Sequence, residues 1–284
     1  MRHAPKDPNQ LLTVEGIQAV RDMVRDEIVP YLDQSNKGQV YAVIPSVVSR
    51  AVKTREIFEE ELEANLVGEN YQMLDVKDLE SIKAFNNAET DKKLVITNLQ
   101  PQHMIGYRDS KLDSWIGQFL ELEKQLGVPD TLIGKLWIAT PEELPQVQAE
   151  ILKINPDIDV DKLNPALFNI TPEQEAIEQI QWMIRILRIA EKQLPNKPVE
   201  IIAISHNVLI DFAAIALLGR ELTTENLNEL GGVRNFLEKH EVFIEGNQVN
   251  VSFRGETHQY SLTDLNQLTN TLKEKSEDRK ASWS

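Results

Sequence analysis

Two arginines and two histidines stand in three short clusters along this chain: Arg2-His3, Ser49-Arg50 and Ser205-His206. The second cluster lies just beyond a β-rich run at 39–44 (QVYAVI), and the third follows a buried-type run at 199–204 (VEIIAI) directly. If Arg2-His3 also follows a strand, all three clusters meet at one edge of a sheet. A pocket of two guanidiniums and two imidazoles suits a phosphoryl group, because each guanidinium holds phosphate oxygens with forked, charge-assisted hydrogen bonds. Nearby positive charge also disfavours protonation of an imidazole, leaving a lone pair that can attack phosphorus. Each cluster has a plainer reading as well. His3 can be a loose terminal histidine, Arg50 a solvated helix residue, and His206 a satisfied histidine at a helix start.

The elements that must position these residues are legible from periodicity. Thr13 reads as an N-cap, and Ile17, Val20, Val24 and Ile28 recur at helical spacing, which predicts a helix over about 14–32 ending near Pro30. A turn at 35–38 leads into the 39–44 strand. Helical spacing returns at 49–66 with Val52, Ile57, Phe58 and Leu62, and 92–97 (KKLVIT) is another short strand. Residues 98–170, rich in Pro, Gln and Asn, read as an inserted cap with amphipathic fragments at 112–126 and 141–153. A strong helix follows at 172–194, then the 199–204 strand, then a helix at about 207–218 with Gly219 as its C-cap. Residues 241–262 predict a hairpin turning at Gly246-Asn247 with a third strand after it. The charged end, 274–284, reads as frayed. Strand–helix alternation predicts an α/β sandwich with a mainly parallel sheet, in which ligands bind beyond the carboxyl ends of strands.

Composition narrows the function classes. The chain has 284 residues, 41% of them hydrophobic and 26% charged, enough for a large core. It has no cysteine, which removes disulfides, thiolate metal sites and cysteine nucleophiles. No apolar run is long enough for a transmembrane helix, and the start has no apolar signal region, so a cytoplasmic protein without membrane partners is expected. The net charge of −15 argues against a nucleic-acid partner and makes any phosphate site a local basic island.

The three clusters together resemble the histidine phosphatase superfamily, the phosphoglycerate-mutase-like fold. Arg2-His3-Ala4 matches the family's opening Arg-His-Gly/Ala, Asn9 stands six residues after the histidine, and Leu12-Thr13-Val14-Glu15-Gly16 matches a Leu-Thr-x-x-Gly block. Ser46, Arg50, Ala51 and Thr54 match Ser-x-x-x-Arg-Ala-x-x-Thr, with Val47 where Pro is usual; Ser205-His206 matches the last block, with Asn207 where Gly is usual. The matching blocks run in the family's order along most of the chain. The resemblance implies a three-layer α/β/α sandwich: a core at 1–97 and 171–265, the cap at 98–170 inserted between, and a flexible tail at 266–284.

It also implies an activity: a metal-independent phosphatase without cofactors, acting on a small phosphorylated metabolite or a phosphoprotein. His3 would be phosphorylated. Arg2, Arg50 and His206 would hold the phosphoryl oxygens, with Asn9 and Asn207 at the binding site. The proton donor would be Glu80 in LDVKDLESI (74–82), with Asp78 and Asp75 as alternatives, or no such acid, as in some members of the family; the family's Gly-rich continuation after that acid is absent. Lys6 sits where many members have Ser or Thr and reads as a solvated lysine. His103, His240 and His258 show no partner pattern, and Trp115 and Trp137 read first as core residues and second as pocket lining. The family's strand before Arg-His needs roughly six residues, where this sequence has Met1 alone. A mutase is the second enzymatic reading, although the Gly-Glu-Ser/Thr pattern of glycolytic mutases is missing. A non-catalytic phosphate-binding protein is the third.

Overall fold

The computed structural model describes residues 12–35, 37–45, 49–66, 70–99, 125–160, 163–168, 170–204, 207–232, 241–245 and 248–283. They fall into two units: residues 1–104, 183–206 and 235–239 in the first, and 105–182, 207–234 and 240–284 in the second.

The first unit is built on four parallel strands in the order β2-β3-β1-β4. These are β1 (Val40–Pro45), β2 (Tyr71–Asp75), β3 (Lys93–Thr97) and β4 (Val199–Ile204). The expected strands at 39–44, 92–97 and 199–204 are all present. Strand β1 pairs along its whole length with β4, from Val40 opposite Val199 to Pro45 opposite Ile204. Period-two alternation sends Tyr41, Val43, Val95 and Ile204 to one face of the sheet and Val40, Leu94 and Ile96 to the other. Helix α1 (Val14–Met23), with the segment after it, and α3 (Ser49–Asn65) cover the first face through Val20, Val24, Ile28, Ile57, Phe58 and Leu62. Helix α4 (Leu79–Asn87) packs Ile82 and Phe85 on the second, joined by Leu194. Helices on both faces explain why every residue of β1 is buried.

Thr13 is the N-cap of α1, its hydroxyl accepting the Gly16 N–H at 2.9 Å. The helix does not stop near Pro30, as the proline suggests. It passes through a π-helical stretch, Val24–Ile28, into α2 (Val29–Gln34). The Val29 N–H reaches back five residues to the Val24 carbonyl. This wider turn makes room for a ring that would otherwise clash with the preceding turn, and Pro30 then occupies the first turn of α2, where its missing N–H costs nothing. Strand β2 and helix α4 were not anticipated as elements. The strand YQMLD is only half-buried and lacks a clean alternation.

The second unit holds α5 (Asp130–Ile138), α6 (Leu144–Ile154) and a 3-10 turn at Pro165–Phe168. It also holds the first part of α7 (Pro172–Gln193), whose last part, from 183, belongs to the first unit. Next come α8 (Asn207–Leu217) and α9 (Thr224–Glu229). The antiparallel sheet β5 (Glu241–Glu245), β6 (Gln248–Phe253), β7 (Glu256–Ser261) follows, and then α10 (Leu262–Ser282). Gly219 ends α8 at φ 71°, a left-handed conformation that a Cβ disfavours, as its C-cap role requires. The expected antiparallel pairing of β5 with β6 is present, with Val249, Val251 and Phe253 alternating into the interior; the turn residues Gly246 and Asn247 lie outside the described residues.

The tail expected to fray is instead the helix α10. Ser261 and Asp264 form a reciprocal capping box at its start. Leu265, Thr269, Leu272 and Ser276 form a buried stripe at helical spacing. The Ser276 hydroxyl accepts that of Thr171 at 2.8 Å. Arg279 donates to Glu173 and to the carbonyls of Ile138, Ala139 and Leu222.

Candidate functional site

The carboxyl ends of the four parallel strands are where the first unit can do chemistry. Strands β1 and β4 are neighbours and end in register, Pro45 beside Ile204. From those two ends the chain continues into residues 46–50 and 205–206, the second and third clusters. Arg50 sits in the first turn of α3 and is 92% buried, being 8% exposed. A buried guanidinium at a helix start beyond a strand end is not the solvated surface arginine of the plainer reading. Thr54 and Ala51 of the same block are fully buried, and the Thr54 hydroxyl donates to the Arg50 carbonyl at 2.8 Å, which fixes the first turn of α3. The Arg50-Ala51-x-x-Thr54 part of the block thus has a packing cause: Ala51 and Thr54 seat the helix that carries Arg50.

Arg2, His3, Lys6, Asn9, Ser46, Val47, His103, Trp115, Ser205, His206 and His240 lie outside the described residues. Asn207 is the first residue of α8. Trp137 is fully buried, stacked on Phe168 at 4.9 Å and edge-on to Phe212 at 5.1 Å, and its indole N–H donates to the Ile170 carbonyl at 2.7 Å. It is a core residue of the second unit. His258 is exposed on β7, stacked on Tyr260 at 4.7 Å.

The three acids proposed as proton donor have different fates. Asp75, the last residue of β2, accepts the Lys77 backbone N–H and the Asn98 side-chain amide, both at 2.8 Å. Those two bonds, the Lys77 one foremost, hold its carboxyl below the usual carboxylate range. It stays ionised, the opposite of what a donor needs. Asp78 is the N-cap of α4 and accepts the Ser81 N–H at 3.1 Å. Glu80 lies exposed in the first turn of α4, where a negative charge is favoured by the helix amides.

A fourth acid at this edge went unnoticed in the sequence. Glu59 of α3 is buried, and burial pushes its carboxyl up to about 7 against the pull of Arg55. Its Oε1 accepts the backbone N–H of Asn98 at 3.1 Å, and Arg55 Nη1 donates to the Leu99 carbonyl at 3.1 Å. The two residues after β3 are therefore fastened to α3 by one acid and one base. The sequence signal was an Arg55/Glu59 pair at i,i+4 falling inside the apolar stripe of Ile57, Phe58 and Leu62, where a solvated pair has no place.

Among the described residues no three His, Asp or Glu side chains stand together as metal ligands would, and no helix is long and apolar enough to cross a membrane. No protein-family model matches the chain, and no curated protein matches it.

Proposed function

We propose that the chain is a cytoplasmic, metal-independent phosphatase of the histidine-phosphatase type, working through a phosphohistidine at His3. The observation that carries this reading is the in-register pairing of β1 with β4, which starts the Ser46–Arg50 block and the Ser205-His206 block from adjacent strand ends. A buried arginine at one of these ends supplies charge for phosphoryl oxygens inside a molecule of net charge −15. In the proposed reaction a neutral His3 nitrogen attacks phosphorus and the bond from phosphorus to the leaving oxygen breaks. Water then attacks the phosphohistidine, the N–P bond breaks, and inorganic phosphate leaves. Arg2, Arg50 and His206 balance the charge that develops on the equatorial oxygens, which is most of what phosphoryl transfer asks of a protein.

The test is hydrolysis of an aryl phosphate by the full chain beside His3→Ala, both with a metal chelator, from pH 5 to 8. Turnover by the wild type alone supports the reading; turnover lost to the chelator, or kept by His3→Ala, overturns it. A second reading, phosphate binding without turnover, is favoured by one observation: Asp75, the donor candidate tied most firmly to this edge, is committed to hydrogen bonds that keep it ionised. It predicts saturable binding of inorganic phosphate by a chain that hydrolyses nothing.

A further inference from the structure

Two chain reversals meet at the amino ends of the parallel strands, the end of the sheet away from Arg50. Helix α4 ends at Asn87 and the chain enters β3 at Lys93; helix α7 ends at Gln193 and the chain enters β4 at Val199. Between these reversals lies a cleft of about 570 Å³, lined chiefly by Asn86, Asn87, Glu89, Thr90, Asn196 and Lys197. All of them belong to the first unit. The volume falls within the range of small-molecule sites, about 300–1,000 Å³. We propose that this cleft binds a neutral polyhydroxylated ligand, a mono- or disaccharide.

The walls of the cleft are fastened to each other, so it is formed before any ligand arrives. Lys197 Nζ donates to the Ala88 carbonyl at 2.7 Å and lies over the Phe85 ring, 5.1 Å from its centroid. The Asn196 backbone N–H donates to Oδ1 of the buried Asn86 at 3.3 Å. Asn87 Oδ1 accepts from the side-chain amides of Asn86 at 3.3 Å and Asn196 at 3.5 Å. Gly38, on the way into β1, touches both walls. It has φ 71°, and a Cβ there would stand 3.0 Å from the Thr90 carbonyl oxygen and 3.6 Å from Lys197 Nζ. Only glycine meets both demands without displacing a wall.

With those bonds made, the cleft keeps donors and acceptors side by side. Among the described residues, Asn87 Nδ2, the Thr90 hydroxyl proton and the remaining ammonium protons of Lys197 have no acceptor. Asn196 Oδ1 and both carboxylate oxygens of Glu89 have no donor. A hydroxyl both donates and accepts, so neighbouring hydroxyls of one sugar can use an amide N–H and a carboxylate oxygen in turn. Charge selects against ions. Asp91 is paired with Lys37 at 2.6 Å, and Glu89 and Lys197 carry one charge of each sign, so the cleft is neutral as a whole. The lining has no large apolar side chain, and Lys197 covers the Phe85 ring, so an apolar ligand finds no wall to bury against.

The experiment is a titration of the full nitrogen-15-labelled chain, read from the side-chain amide signals of Asn87 and Asn196. The probes are glucose, galactose, mannose, maltose and sucrose, each to about 50 mM, with inorganic phosphate as the ionic control. At least one sugar should shift both signals saturably, and phosphate should leave them in place. Asn87→Ala removes the two free N–H donors at an exposed position and should weaken that sugar about fivefold or more. The proposal is overturned if no sugar moves the two signals, if phosphate moves them as far as a sugar does, or if Asn87→Ala binds the sugar as tightly as the wild type. The first two outcomes are read in the wild type alone and do not depend on a variant that folds.

Discussion

At the scale of single residues, the carboxyl edge of the first unit carries acids that hold the backbone and one buried arginine at the start of α3. Asp75 and Asp78 are spent on backbone N–H groups, and Glu80 is a surface residue at a helix start, whereas Arg50 is buried at the end of the strand paired with β4. The proposed reaction uses Arg50 against charge that appears on phosphoryl oxygens in the transition state. Arg50→Ala should then lower kcat/KM for an aryl phosphate by about a hundredfold or more, mostly in kcat, since a lost oxyanion donor costs about 3 kcal/mol. Glu80→Gln should change it less than about threefold, because solvent screens the field of an exposed carboxylate. Steady-state kinetics of the two variants checks both statements, and a Glu80 variant that loses as much as the Arg50 variant restores Glu80 as donor. The burial of Arg50 has a cause visible in the sequence, since Ala51 and Thr54 beside it are fully buried on the same helix. Glu59 was missed although its i,i+4 pairing with Arg55 inside the apolar stripe of Ile57, Phe58 and Leu62 was legible, because a charged pair on a helix reads first as a solvated one.

At the scale of elements, most of the fold was written in hydrophobic period, and the failures have specific causes. The strands at 39–44, 92–97 and 199–204 declared themselves as continuous apolar runs, the pattern of a sheet covered on both faces. Strand β2 is half-buried throughout and mixes Gln and Asp with Tyr, Met and Leu, so no alternation marked it. Helix α10 was hidden because two of its buried positions are Thr269 and Ser276, polar residues that bury well only with hydrogen bonds. Its other anchor, Arg279, binds the buried Glu173 at the start of α7 and three carbonyls from two other segments. That charge pair is legible only once the helices are placed. Removing one partner of a buried, hydrogen-bonded pair strands the other, so Arg279→Leu should destabilise the second unit by about 3–5 kcal/mol in urea unfolding. Replacing Glu173 by Leu as well should recover part of the loss, because no charge is then left buried. Equal losses in the single and double variants would mean that the three carbonyl bonds, not the ion pair, carry the anchor.

At the scale of the whole molecule, an acidic chain that buries neutral acids has a stability set by pH. Glu175 is almost completely buried with one carboxylate oxygen lacking any partner, and burial, aided by Glu178, pushes it up to about 8. Glu178 is raised to about 6 and Glu59 to about 7, each by burial first. A group whose folded value is raised stabilises fully below its unfolded value and loses that contribution as pH rises through the folded one, so these three weaken the fold progressively between about 4.5 and 8. Asp75 and Glu143 are lowered and act in the opposite sense, losing their stabilisation as pH falls into the acid range; Glu143 is held down, against burial, by the N–H groups of Thr140, Thr224 and Glu225. Net charge reinforces the alkaline slope, since repulsion among excess carboxylates grows above the sequence pI of about 4.9. Thermal unfolding should therefore show its highest midpoint at about pH 5 and a steady decline toward pH 8. Added salt should raise the pH 8 midpoint by screening the surface part of the repulsion, and it should leave the buried part in place. Glu175→Gln separates the two contributions. It keeps the side-chain shape, removes an ionisation that burial opposes, and should raise the midpoint at pH 8 while changing little at pH 5. If the variant follows the wild-type decline at every salt concentration, the alkaline loss belongs to the surface charge and Glu175 remains neutral throughout.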